Sequence, residues 1–521
     1  MRQDSAPPQF TPLQARPAWL KLASAGPQVL GPVILAAYGL VHVLMRWLIS
    51  DGAELDEAEQ LLLSQAWAVG YTDQPPLYTW LLLLFQGVFG VDILSLALLK
   101  NLLLCATYLY LFLTARIVLN DAYLALLASL SLWLIPQIAW ESYRDLTHSV
   151  LVTSLSSGFC YVLMRLLQTG QTRHYVMLGL LLGLGALSKH SFLLFASALV
   201  GAALAQPDMR GRLLDRRTVL ACGLAVLVVL PHSLWLLDHW HLDASPAAQK
   251  LELRHGMPSV TVMTTGLLKL IWASVRFLTP FWLICLLTFP QLASRSTVAA
   301  TTLNRFRRLL ERFFLLLLLI LAAAVLLFGV THFKDRWMQP FLFLVPLGVF
   351  ARLQSVGAAP ARLRRYAGVL GVFGLLFLAM PLMQAWVGPW FGVYSRLHVP
   401  FEALAQQLEA AGFERGMIVA ENTFIGGNLR LTFPHARVLT PELTVGLQVA
   451  ARQTGQCLVV WDGNDRQPLP EPLQQFLEKE LQARAPSGDV PGYAEAWLRH
   501  SHQRVFRLGF LLLPAGLGEC R

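Results

Sequence analysis

The chain has 521 residues, of which 55% are hydrophobic and only 14% charged, and it carries a net charge of +10. Soluble proteins carry about 25% charged residues, so a water-soluble globule is excluded. The basic excess is then read as the charge asymmetry that orients membrane helices, and no nucleic-acid partner is expected.

A polar tail (residues 1–28) with Arg2, Arg16 and Lys21 precedes the first apolar run, 29–49. That run is too long for a signal-peptide core and no small-residue cleavage site follows, so it is expected to stay as an anchor. Further spans are predicted near 94–115, 121–139, 149–167, 174–189, 190–205, 217–237, 266–288, 313–331, 338–353 and 366–388. Several reach the roughly 20 residues of a membrane-crossing helix. Arginine-rich connections at 206–217, 289–312 and 352–365 are expected on the cytoplasmic side. Eleven crossings put all three there with the N-terminal tail. The same count leaves 51–76, 141–148, 238–265 and 332–337 outside.

The connection 51–76 is acidic. Asp51, Glu54, Asp56, Glu57, Glu59 and Asp73 occur in it without a Lys or Arg. Asp51 and Glu54 resemble a capping pair for a helix over about 53–68, with Gly70 ending it. On such a helix Asp56 and Glu57 point about 100° apart, so one of them faces a given reacting atom. Pro75-Pro76 breaks the chain and starts an apolar stretch, 77–91, too short to span and placed on the outer membrane surface. Tyr78 and Trp80 on it read most simply as interface anchors. A second acid-bearing cluster, "WESYRDLTHS" (140–149), ends another span. Gly179, Gly183 and Gly185 read as close helix packing. Mid-span positions read as almost wholly apolar.

From residue 398 the pattern changes. "HVPFEALAQQLEAAGF" has helical spacing, and "GMIVA", "ARVLT", "QCLVVW" and "RVFRLGFLLLP" read as buried strands. Residues 398–521 are therefore expected to form a small α/β domain outside the membrane, where Cys457 and Cys520 are free to pair. The fold class is a polytopic α-helical membrane protein with about eleven transmembrane helices, interfacial helices at 51–91, and this extracytoplasmic domain after a membrane unit of 29–390.

"LDEAEQLLLSQAWAVGYTDQPPLYTWL" resembles the first external loop of the membrane C-type glycosyltransferases, the superfamily of protein mannosyltransferases, aminoarabinose transferases and core galacturonic acid transferases. The resemblance rests on Asp56-Glu57 and on Asp73-Gln74-Pro75-Pro76-Leu77. Weaker matches are Arg144-Asp145, "GALSKHSFLLF" (185–195) and "HFKDRWMQPFLFLVPL" (332–347). Gln74 stands where many relatives have a phosphate-contacting Lys, and Glu59 and Gln60 stand near an Arg and a Tyr of the aminoarabinose branch.

The resemblance implies transfer of a sugar from a polyprenyl-phosphate donor to an envelope acceptor such as lipid A or core oligosaccharide. It implies Asp56 as general base, with Glu57 as the alternative or an orienting neighbour and Asp145 as an acceptor-orienting carboxylate. Lys189, Lys334 and Arg336 would hold the phosphate, and Asp73, Tyr78, Arg144 and His190 would line the substrate site. Each has a plainer reading: Arg144-Asp145 as a helix-end ion pair, Lys189-His190 as a break between spans, Lys334-Asp335-Arg336 as an exposed loop. No cofactor is indicated, although Asp56, Glu57 and Asp145 could take a divalent ion if they converge. The implied location is the bacterial inner membrane, with the site on the periplasmic face; Arg far outnumbering Lys suits a bacterium. The competing functions are a lipid-linked sugar flippase and a non-catalytic assembly subunit.

Overall fold

The computed structural model describes residues 26–72, 74–239, 258–293, 305–443, 455–464, 468–483, 491–501 and 503–513. The membrane unit begins with α1 (Pro27–Ile49), α2 (Leu55–Leu63), α3 (Leu77–Phe89), α4 (Ile93–Leu119) and α5 (Ala122–Leu130). It continues with α6 (His148–Thr169), α7 (Thr172–Ala186), α8 (Ser191–Leu204) and α9 (Arg217–Asp238). It closes with α10 (Val260–Phe277), α11 (Phe281–Thr288), α12 (Arg305–Phe328), α13 (Val345–Val356) and α14 (Pro360–Leu382).

Local chemistry sets the boundaries. The Asp92 carboxylate accepts from Leu94 N–H to start α4. Asn120 ends α4 in the left-handed conformation, at φ 52°. The next residue, Asp121, accepts from Tyr123 and Leu124 N–H to start α5. Two adjacent residues thus supply a C-terminal and an N-terminal cap, which makes a tight helical hairpin.

Among the described residues, seven helices are long and apolar enough to cross a membrane, or ten when three bent pairs each count as one. All eleven expected spans have a helical counterpart. The one that falls outside the ten is α7, with 15 residues. The expected span 266–288 is two helices, α10 and α11, broken at Thr279-Pro280. Large apolar side chains on the outer helices stand exposed, Leu287 at 83% among them, as lipid-facing positions do and water-facing ones rarely do.

The basic connections gather at one end. There Arg116 donates to Gln28 Oε1 (3.3 Å), Arg217 to Gly170 O (2.7 Å) and Arg312 to Ala205 O (2.6 Å). The acidic loop lies at the other end, with the starts of α3, α6 and α8. Leu77 N–H donates there to Leu187 O (3.2 Å).

Helices α7 and α9 pack backbone to backbone. A Cβ on Gly179 would lie 2.4 Å from the Ala221 carbonyl oxygen, and one on Gly183 would lie 2.7 Å from Val228 Cβ. Small residues permit that approach, and a larger one forces the helices apart. Gly179→Val is expected to destabilise the protein by about 1–3 kcal/mol, read as a lower melting temperature in detergent micelles. Gly223→Ala is the control, because its Cβ would meet nothing within 4 Å.

The C-terminal region is a five-stranded sheet of order β2-β1-β3-β5-β4. Its strands are β1 (Gly416–Ala420), β2 (Arg437–Leu439), β3 (Gln456–Asp462), β4 (Gly492–Trp497) and β5 (Val505–Leu513). β1 runs parallel to β2 and β3, while β5 runs antiparallel to β3 and β4. Helices α15 (Phe401–Ala410), α16 (Thr423–Thr432) and α17 (Glu471–Lys479) accompany it. β1 is buried throughout, hence its unbroken apolar sequence. The four predicted strands are present. β4 escaped notice because it is an edge strand with a polar pattern, its Glu495 paired with Arg507 at 2.6 Å. Cys520 lies outside the described residues, and so does the pairing with Cys457 that the sequence left open.

Three details of the acidic loop differ from expectation. α2 is nine residues long and stops at Ser64, not near Ala68. Its cap is Glu54, whose N–H donates to Glu57 Oε2 (3.1 Å), so Asp51 plays no part. Gly70 does not end it; a Cβ there would lie 2.2 Å from the Trp235 ring.

Candidate active site

Asp56 and Glu57 are neighbours at the start of α2, and the helix turns them to different surroundings. Glu57 faces inward and is fully buried. Its Oε1 accepts from Lys100 Nζ and its Oε2 from Arg46 Nη2, each at 2.7 Å. Burial alone would raise its pKa, but the two cations outweigh that and hold the carboxyl down at about 2. Both Glu57 oxygens are therefore occupied, and its proton affinity is too low for a base.

Lys100 is 1% exposed and sits in the second turn of α4. Besides Glu57 it reaches the Arg144 and Asp145 carbonyl oxygens, each at 3.4 Å. Arg46, in the last turn of α1, also donates to Ser50 O (2.9 Å) and Gly52 O (2.8 Å). Buried Lys100 and half-buried Arg46 thus tie the acidic loop to α4, to α1 and to the 144–145 segment. Sequence reading missed both. Lys100 lies toward the outer end of α4, and a single Lys within an apolar run was the signal available.

Among the described residues Asp56 makes no such pair. Its N–H donates to Asp145 Oδ1 at 2.8 Å, and Asp145 is itself buried. Burial and then the Asp145 charge push the Asp56 carboxyl up to about 6, against the pull of Arg336, Lys100 and Lys189. A carboxylate with that proton affinity is a competent base near neutral pH. Glu54, buried beside it, is likewise raised by burial and by Asp145, with Arg396 3.7 Å away.

The predicted cations are distributed around this acid pair. Lys189 Nζ donates to Ser149 Oγ at 3.2 Å, and its charge reaches Asp56. His190, next to it, is exposed. Arg336 is exposed and its charge also reaches Asp56. Lys334 is exposed and stands 5.8 Å from the Trp337 ring. Asp335 binds Gln137 (3.1 Å) and Arg276 (3.3 Å), which anchors that loop. Arg144 pairs with Glu141 at 2.8 Å, so the ion pair at this helix end is Arg144–Glu141 and Asp145 is left for Asp56.

Tyr78 is not an interface anchor. It is fully buried, with its ring centroid 5.7 Å from that of His148, and its hydroxyl has no partner among the described residues. Beneath it Thr79 Oγ1 donates to Gln60 Oε1 (2.8 Å), and the Gln60 amide reaches His148 Nε2 (3.1 Å). Asp73 lies outside the described residues. Among the described residues no three His, Cys, Asp or Glu side chains are grouped to hold a metal. Glu57 in particular is committed to Arg46 and Lys100, so it does not converge with Asp56 and Asp145.

The arrangement therefore offers, among the described residues, an Asp56 carboxylate without an ion-pair partner, raised in proton affinity beside Asp145 and within reach of the charges of Arg336, Lys100 and Lys189. Residues 73–235 match the protein family described as dolichyl-phosphate-mannose-protein mannosyltransferase. The lipopolysaccharide core galacturonosyltransferase RgtA of Rhizobium johnstonii is 33% identical over 434 residues, covering 83% of this chain and 86% of that protein. RgtB of the same organism, also a lipopolysaccharide core galacturonosyltransferase, is 31% identical over 465 residues, covering 88% and 92%. The crystal structure of ArnT from Cupriavidus metallidurans bound to undecaprenyl phosphate superposes with a TM-score of 0.60 at 13% identity, covering 92% of this chain and 97% of that one.

Proposed function

Because this chain belongs to the lipopolysaccharide core galacturonosyltransferase family of membrane C-type glycosyltransferases, we propose that it moves a galacturonosyl unit from a polyprenyl-phosphate carrier to the lipopolysaccharide core, with Asp56 as the base. The sugar and acceptor follow the two relatives' names, and the carrier follows the lipid bound to ArnT. The single observation that supports Asp56 is the division of labour on α2. Glu57 is consumed by Lys100 and Arg46, whereas the Asp56 carboxylate is left unpaired and made more basic.

The acceptor hydroxyl approaches the anomeric carbon. Asp56 takes its proton as the new carbon–oxygen bond forms and the bond to the carrier phosphate breaks. Negative charge near the sugar favours the oxocarbenium-like transition state, as in glycoside hydrolysis. The departing phosphate gains charge, and Lys189 and Arg336 are placed to hold it, with Lys334 further out. Tyr78 offers a buried hydroxyl donor at the same place. Arg144 is occupied by Glu141 and His190 is exposed, so their contribution is contact with the acceptor at the rim. The acidic end faces the periplasm, the basic end faces the cytoplasm of a bacterial inner membrane, and residues 398–521 form the extracytoplasmic domain.

The proposal is tested by turnover of a labelled polyprenyl-phosphate galacturonic acid with core oligosaccharide as acceptor. A base titrating at about 6 makes kcat rise with pH through that value and level off above it. Asp145→Asn keeps an oxygen to accept the Asp56 N–H but removes the neighbouring charge. The rise is expected to move to lower pH in that variant. A pH profile identical to the wild type's would contradict the pairing.

A further inference from the structure

We propose that α16 of the sheet domain is a clamp that positions the catalytic base, acting through Asn428 and Gly427; the proposal rests on the reading of Asp56 as that base. α2 is nine residues long, shorter than an isolated helix needs for stability in water, so its partners fix its position. On the membrane side those partners are Lys100, Arg46 and Asp145. On the other side they belong to the sheet domain, more than 360 residues later in the chain.

Asn428 is buried and bonds to Ala53 in both directions. Its Oδ1 accepts the Ala53 N–H at 2.7 Å, and its Nδ2 donates to Ala53 O at 3.2 Å and to Phe424 O at 2.9 Å. Ala53 directly precedes the α2 cap, Glu54. One turn on, Gly427 lets the helix backbones touch. A Cβ there would lie 2.3 Å from the Ala58 carbonyl oxygen and 2.5 Å from its Cα. Past the far end of α2, Gln65 repeats the two-way pattern with Val438 of β2, at 2.8 and 2.9 Å. α2 is therefore gripped before, along and beyond its length by one face of the sheet domain. Loosening that grip moves Asp56 away from Asp145 and lets water in.

The strongest charges on Asp56, from Asp145, Arg336, Lys100 and Lys189, all belong to the membrane unit. Neither Asn428 nor Gly427 is charged. A change in the Asp56 titration on altering them would report movement of α2, not loss of a charge. Misplacing a reacting group by about 1 Å costs on the order of 100-fold in rate.

The test is kcat, KM for the lipid-linked donor, and the pH profile of full-length Asn428→Ala and Gly427→Ala, with Asp56→Asn alongside. Alanine is a better helix former than glycine, so Gly427→Ala keeps α16 intact and its clash falls on α2. Both variants are expected to lose about 10- to 100-fold in kcat with KM within about 3-fold, and their acid limb is expected to move below the wild type's. Wild-type kcat and pH profile in folded Gly427→Ala, beside an inactive Asp56→Asn, would overturn the clamp and leave the base in place. Full turnover by Asp56→Asn would overturn the base itself.

Discussion

Asp56→Asn is expected to lower turnover by about 10²- to 10⁴-fold, the usual contribution of a positioned base, while leaving the protein folded. The substitution keeps size and hydrogen-bonding shape and removes the only property the mechanism uses. Stability provides the internal control, and its sign is fixed by the shift. Folded Asp56 binds its proton more tightly than an unfolded aspartate, with a pKa of about 6 in place of 3.8. Its contribution to stability is full below pH 3.8 and is lost as pH rises through about 6. Above pH 6 the Asn variant should melt no lower than the wild type, and higher if the Asp145 repulsion is relieved. Loss of activity with an unchanged or raised melting temperature therefore isolates chemistry from folding. Glu57→Gln is the contrast: it should cost both, since its carboxylate neutralises buried Lys100 and half-buried Arg46.

Lys100→Met has the largest expected effect on stability. It removes a buried cation that bonds Glu57 and approaches the Arg144 and Asp145 carbonyls. Breaking a buried ion pair from one side costs about 3–5 kcal/mol, because the remaining charge is left in a poor solvent. Here Arg46 still compensates part of the Glu57 charge, which places the cost toward the lower end of that range. Lys100→Met combined with Glu57→Gln removes both members of the pair but leaves Arg46 without its carboxylate, so it should recover no stability over Lys100→Met. It should not recover activity, because α2 then loses its tie to the segment that carries Asp145. Denaturation in micelles and turnover, measured on the single and double variants, separate the two effects. Equal stability of wild type and Lys100→Met would show that the pair contributes nothing.

The parts of this structure written in local composition were legible. Each apolar run became a helix, and Pro75-Pro76 marked the start of α3 because proline is favoured where a helix begins. The acids of the first loop stood out against a basic chain, and "GMIVA" and "QCLVVW" announced buried strands. What failed depended on distant partners. α2 stops at Ser64 because the Gln65 side chain is claimed by Val438, far away in sequence. Asp56 and Glu57 are equivalent in sequence and opposite in role, and Lys100, Arg46 and Asp145 decide which is which. Lys100 was passed over because one charge barely dents the hydropathy of a 27-residue helix. Its charge is neutralised in a fixed pair with Glu57. Tyr78 looked like an interface aromatic because a short apolar helix has no sequence marker for its protein-facing side.

The account's central claim is that the lipid carrier's phosphate meets Asp56 at the acidic end of the helices. The most direct measurement is a structure of the full-length protein with polyprenyl phosphate bound in lipid nanodiscs. The account expects the phosphate within ion-pair reach of Lys189 or Arg336, with the Asp56 carboxylate facing it. A phosphate seated instead in the apolar groove of about 520 Å³ at the basic end, against Arg307 and Arg352, would contradict it.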